Sequence, residues 1–216
     1  MLMSKQRGVS LIEILIGIAI TIVIAVAVLG IFTNTFDASE RVLQQGKLDR
    51  DLYSIVNIIV ADVQRAGYWS AATNSGATNP FMTGTNDISA NLSNNCITFT
   101  YDNGPTNATD NTVDDTDRFG YGLQDGAIKF RQAGSSFSCT SMSGWENLSD
   151  TNAITITGFT VTTTNQPVDI DGTDSGTDTI NYRTVTITVT GALRNNTNNA
   201  KTITRTIKVY NNKYIP

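Results

Sequence analysis

Few side chains in this 216-residue sequence could do chemistry, and where they fall narrows the choice. Glu13 stands at the head of nineteen residues, 14–32, that carry no charge. A charge at the centre of a bilayer helix costs about 2.5–3.5 kcal/mol on insertion scales, so a carboxylate kept there calls for a partner. There is no histidine, which removes Ser–His and Cys–His nucleophilic pairs and the commonest metal ligand. Two cysteines, Cys96 and Cys139, are too few for a four-thiolate zinc site. Asp169, Asp171, Asp174 and Asp178 place four carboxylates within ten residues, the oxygen donors that calcium takes. Their glycine comes too early for an EF-hand and no bidentate Glu closes the loop, so a solvated hairpin loop is preferred. Asp110, Asp114, Asp115 and Asp117 form a second acidic cluster of the same kind. Gln45-Gly-Lys47 ends like a phosphate loop but lacks the upstream glycine and falls inside a helix. Acid pairs for glycoside hydrolysis are defined by folded distances, and nothing in the sequence favours one. Catalysis is not expected, and no cofactor is expected beyond the calcium alternative at 169–178.

These residues need elements to hold them. Lys5 and Arg7 precede the apolar run, so the positive-inside rule keeps the N-terminus cytoplasmic and sends the bulk outward. Nineteen residues at 1.5 Å each give about 28 Å, enough to cross the hydrocarbon core. In an exported chain Cys96 and Cys139 read as one disulfide, worth about 2–4 kcal/mol, with two unpaired buried thiols as the alternative.

The apolar run continues as an amphipathic pattern. Positions 48, 52, 55, 56, 59, 60 and 63 are apolar at i, i+3, i+4 spacing. The first proline is Pro80, so one helix can run from Val9 to about Ala66 and stop at Gly67. Gly17, Gly30 and Gly46 weaken it by about 1 kcal/mol each relative to Ala. Residues 96–101, 127–131 and 154–157 alternate as half-buried strands do, and 179–190 and 202–210 do so more strongly. Residues 191–200 read as a hairpin loop, and 68–95, 102–117 and 165–178 as loops rich in Gly, Asn, Thr and Asp. The expected fold is α+β, a long N-terminal helix whose second half packs on an antiparallel β-sheet.

Charge is unevenly spread. The net charge is −4, falling to −6 without Lys5 and Arg7. Residues 86–178 carry thirteen acids against three bases, whereas 179–216 carry six bases and no acid. Such a split can orient a surface against its neighbours. The basic strands with Tyr182, Tyr210 and Tyr214 offer DNA a weak footing, but a net acidic chain argues against nucleic acid as a partner.

The basic leader ending at Gly8, the glutamate at position 13 and the uncharged run resemble a type IV prepilin signal. With the β-rich tail, the chain resembles type IV pilins and the pseudopilins of type II secretion. It is most similar to PilW-type minor pilins through Arg65-Ala-Gly-Tyr-Trp69, Cys96-Ile-Thr-Phe-Thr-Tyr-Asp102, Gly126-Ala-Ile-Lys-Phe-Arg131, Trp145-Glu-Asn-Leu148 and Ile154-Thr-Ile-Thr-Gly-Phe159. The resemblance implies cleavage by a prepilin peptidase between Gly8 and Val9, N-methylation of Val9, and pairing of Glu13 with a neighbour's terminal amine during assembly. Val9 stands where the family usually has Phe, and Gly30 lies near the site of a helix-breaking proline in many major pilins. The implied organisation is a leader at 1–8, a transmembrane and filament-core helix at 9–36, an amphipathic helix at 37–67 and a head at 68–216. The implied setting is a single inner-membrane span with the head outside the cytoplasm, then the pilus at the cell surface. The implied function is a structural minor pilin that initiates or caps the filament with other minor pilins, the major pilin and a tip adhesin. The alternatives are a minor pseudopilin of type II secretion and a surface adhesin or ligand-binding module.

Overall fold

The structure, a computed structural model, describes residues 8–72, 78–91, 93, 95–104, 112–170, 172 and 178–215. The chain divides into two compact units, residues 1–46 and 47–216. One helix, α1 (Leu11–Arg65), contributes to both.

In the first unit the helix side chains are exposed throughout, including Ile14, Ile18, Ile22, Leu29 and Phe32. Several of its polar side chains bond within the helix. Thr21 Oγ1 donates to the Gly17 carbonyl at 2.7 Å, Asn34 Nδ2 to Gly30 at 2.9 Å and Thr35 Oγ1 to Ile31 at 2.8 Å. Such back-bonding suits a helix in lipid, where an unsatisfied polar group costs several kcal/mol. The helix is unbroken at Gly17, Gly30 and Gly46.

In the second unit Leu48, Leu52, Ile55, Val56, Ile59 and Val63 are buried, the face that the apolar spacing defines. Two antiparallel sheets cover it. The first is a meander in the order β1 (Ser89–Asn91), β2 (Cys96–Thr100), β3 (Arg118–Gln124), β4 (Ala127–Phe130) and β5 (Glu146–Asn147). The second sets β7 (Thr179–Leu193) between β6 (Ile154–Asp169) on one side and β8 (Asn196–Lys208) with β9 (Lys213–Ile215) on the other. β6 runs beside strands of the first sheet. Ile97, Phe99 and Tyr101 from one sheet and Phe159, Val185, Ile187 and Val189 from the other join the helix face in one core. Burying each such side chain contributes about 1.5–3 kcal/mol. The architecture is α+β, a long helix packed on antiparallel sheets.

Several strand limits differ from the sequence expectation. β2 is buried at all five positions, so it is covered on both faces rather than half-exposed. β3 is a strand where none was expected, because its pattern is interrupted by glycine. Gly120 and Gly122 form a lane beneath the following loop: a Cβ on either would lie 2.5 Å from Trp145 Cη2 or Met142 Cε. β6 extends through residues 165–169, expected as loop, because Thr179 to Arg183 continue the ladder opposite. The hairpin between β7 and β8 turns at Arg194 and Asn195 rather than over 191–200. Cys96 and Cys139 are joined, with Cα atoms 5.6 Å apart at a sequence separation of 43. The bridge ties β2 to the loop that precedes β5.

Candidate functional site: the N-terminal signal and the helix end

Gly8 and Val9 precede the helix and are exposed; Lys5 and Arg7 lie outside the described residues. A Cβ on Gly8 would meet nothing within 4 Å. The first helical turn is built on Ser10, whose carbonyl accepts the N–H groups of Glu13 at 3.0 Å and Ile14 at 3.2 Å. In return the Ser10 N–H donates to Glu13 Oε2 at 3.4 Å. This is one half of a capping box, the Ser-x-x-Glu spacing that opens a helix. It holds the carboxylate at the positive end of the helix dipole, beside the Ser10 backbone nitrogen. Ser10 was therefore a legible member of the site. By length and composition the helix can cross a membrane.

The other end of α1 is anchored by long-range polar contacts. The last carbonyls of a helix lack intrahelical donors, and here the head supplies them. Tyr210 N donates to the Gln64 carbonyl at 2.9 Å, Asn211 Nδ2 to Arg65 at 3.2 Å, and Arg183 Nη2 to Ala66 at 3.3 Å. Asn79 Nδ2 donates to the Gly67 carbonyl at 2.9 Å, and Gly67 N to Thr100 at 2.8 Å. Gly67 itself has φ +75°, and a Cβ there would lie 2.5 Å from Met82 Cε and 2.7 Å from Arg183 Nη2. Only glycine meets both demands.

Arg183 is the hub of this junction. Its side chain is 5 % exposed and its Nη1 lies 2.6 Å from Asp87 Oδ1, while Lys213 Nζ reaches Asp87 Oδ2 at 2.7 Å. Nε and Nη2 donate to the Asn211 carbonyl. Burial pulls the guanidinium below its ordinary value, and the Asp87 carboxylate opposes that pull. The group stays charged, since arginine does not lose its proton in proteins. Part of the charge split thus resolves inside the head: Asp87, from the acid-rich stretch, pairs with two bases of the C-terminal stretch.

The remaining acidic candidates are committed to the fold. Asp115 binds the Gly134 N–H and Arg131 Nη2, which together hold its carboxyl below the usual range. Asp117 accepts from Asp114 N at 2.9 Å and Asn103 N at 3.1 Å; Asp110 lies outside the described residues. Asp62 of α1 accepts from Tyr121 and, at 3.4 Å, from Tyr101. Burial, then the Asp62 charge, raises both phenols above their ordinary range. Of the calcium-loop candidates, Asp169 ends β6 and accepts from Gly172 N at 3.3 Å, and Asp178 accepts from Tyr214 at 3.0 Å. Asp171 and Asp174 lie outside the described residues. No group of three or more metal-ligating side chains occurs among the described residues.

A long apolar N-terminal helix on antiparallel sheets, entered through Gly8, Val9 and Glu13, defines a pilin-like protein. Residues 3–33 match the prokaryotic N-terminal methylation motif, and residues 41–209 match the family described as prepilin peptidase-dependent protein B. The second match spans most of the sequence, and the chain belongs to that family. No curated protein matches it. No solved structure matches it either.

Proposed function

We propose that the chain is a structural minor pilin, most similar to the PilW type, that helps to start or cap a type IV pilus. A prepilin peptidase cuts between Gly8 and Val9, Val9 is N-methylated, and Glu13 meets the terminal amine of a neighbouring subunit. Residues 9–36 then serve as membrane span and filament core, 37–67 carry the helix into the head, and 68–216 form the head outside the cytoplasm.

The observation that carries this reading is the junction between the methylation motif and α1. The motif's residues run straight into an exposed apolar helix whose only acid, through residue 36, is Glu13, held in its first turn. A carboxylate in a low-dielectric setting gains far more from a cation than it would in water. A terminal amine created at Val9 is such a cation, and it can come from a neighbour without adding a side chain to the core. Other minor pilins, the major pilin and a tip adhesin are the partners this role needs.

Deleting the gene in its native bacterium, and scoring surface pili and secreted proteins together, tests the role. Loss of pili with normal secretion is expected. Normal pili with lost secretion would move the protein to a type II secretion filament.

A further inference from the structure

β8 leaves one side of the second sheet open. It pairs with β7 from Thr184↔Lys208 to Gly191↔Lys201 in continuous register, and among the described residues no strand pairs with its other side. Every second residue therefore turns its N–H and C=O outward, a template for one more strand. The far edge of the sheet is blunted: β6 contains Pro167, which has no N–H to offer. β8 contains no proline.

Its side chains specify what would fit. On the outer face Thr202, Thr204 and Thr206 pair hydroxyl to hydroxyl with Thr190, Thr188 and Thr186 at 2.8, 3.0 and 2.9 Å. On the face toward the core Lys201, Ile203, Arg205 and Ile207 alternate. Lys201 forms an ion pair with Asp49 of α1. Arg205 lies 5.8 Å from the Tyr53 ring, and Lys208, on the outer face, 5.9 Å from the Tyr182 ring. Among the described residues no carboxylate forms an ion pair with either. A second copy of β8 is a poor match, because residues 179–216 hold no acid to set against these bases.

The geometry points to strand addition by a different polypeptide. β8 takes up an extended segment with acidic and β-branched apolar residues alternating on its inner face and threonine-like residues on its outer face. Acids meet Arg205 and Lys201, apolar side chains meet Ile203 and Ile207, and the threonine rows continue by one column. This docking edge requires only the head, and it stands or falls apart from the processing and filament role.

The test uses the full chain in detergent and a short labelled peptide alternating threonine with glutamate and valine, read by fluorescence anisotropy. It should bind about tenfold or more tightly than the same peptide with lysine for glutamate, since each cross-strand charge pair is worth up to about 1 kcal/mol. Methylating every second backbone amide should abolish binding in one of the two phases. The exposed substitution R205E should turn the preference toward the lysine peptide, with circular dichroism showing the fold intact. Equal binding of both peptides, or indifference to methylation in both phases, overturns the proposal. So does a dimer of the full chain that the charge reversal strengthens, which would assign the edge to a second copy.

Discussion

Arg183 is a buried charge, and in the proposed function Glu13 is a charge at the membrane edge whose partner comes from a neighbouring subunit. Arg183 finds its partner inside the chain. Replacing it with methionine leaves Asp87 with Lys213 and the Ile88 N–H and removes a donor from the Ala66 carbonyl. Breaking a buried pair from one side typically costs about 3–5 kcal/mol. R183M should therefore lower unfolding stability by that order, followed through the buried Trp69 and Trp145. The double substitution R183M/D87L should lose less. Among the described residues no cationic side chain forms an ion pair with Glu13, and its donor is the Ser10 N–H. E13A should insert in the membrane yet be depleted from sheared filaments; undiminished recovery would show that the carboxylate is dispensable. Asp115 gives a pH signature. Its folded-state pKa is lowered by the Gly134 N–H and Arg131, so it stabilises the fold above the unfolded carboxyl value near ~4 and that contribution is lost as pH falls through the folded value. D115N should be less stable at neutral pH and should show a shallower loss below about pH 4. A loss parallel to that of the parent chain would remove Asp115 from the account.

Among the elements, α1 was the most legible, because burial on one side imposes a period that the sequence must keep. Leu48, Leu52, Ile55, Ile59 and Val63 declare it, and Gly67 declares its end. L52A should cost about 2–5 kcal/mol, as large-to-small changes in packed cores do, and a loss below 1 kcal/mol would mean the helix face is loosely held. The sheets were less legible for specific reasons. Gly120 and Gly122 erase the alternation of β3 because Trp145 and Met142 need the space. Residues 165–169 read as loop by composition, yet the opposite strand extends them by backbone pairing that composition does not encode. The paired cysteines were visible from compartment alone.

Taken as a whole, the molecule joins an apolar helical unit to a head, several of whose polar groups fasten the end of that helix. The signal at Gly8, Val9 and Glu13 could be read locally, since its residues adjoin in sequence. The junction could not: Asp87 and Arg183 lie 96 residues apart, and only folding makes them neighbours. The charge split seen along the sequence is partly spent on that junction, through Asp87 with Arg183 and Lys213; Lys201 pairs elsewhere, with Asp49 of α1. What remains on β8 is the basic edge left open to a partner.

The proposed function requires that this chain be processed and enter a filament. The most direct measurement is peptide mass spectrometry of sheared surface filaments from the native bacterium. The expected result is a terminal peptide that begins at Val9 and carries a methyl group on its amine. Recovery of the protein only from membranes, with residues 1–8 still attached, would contradict it.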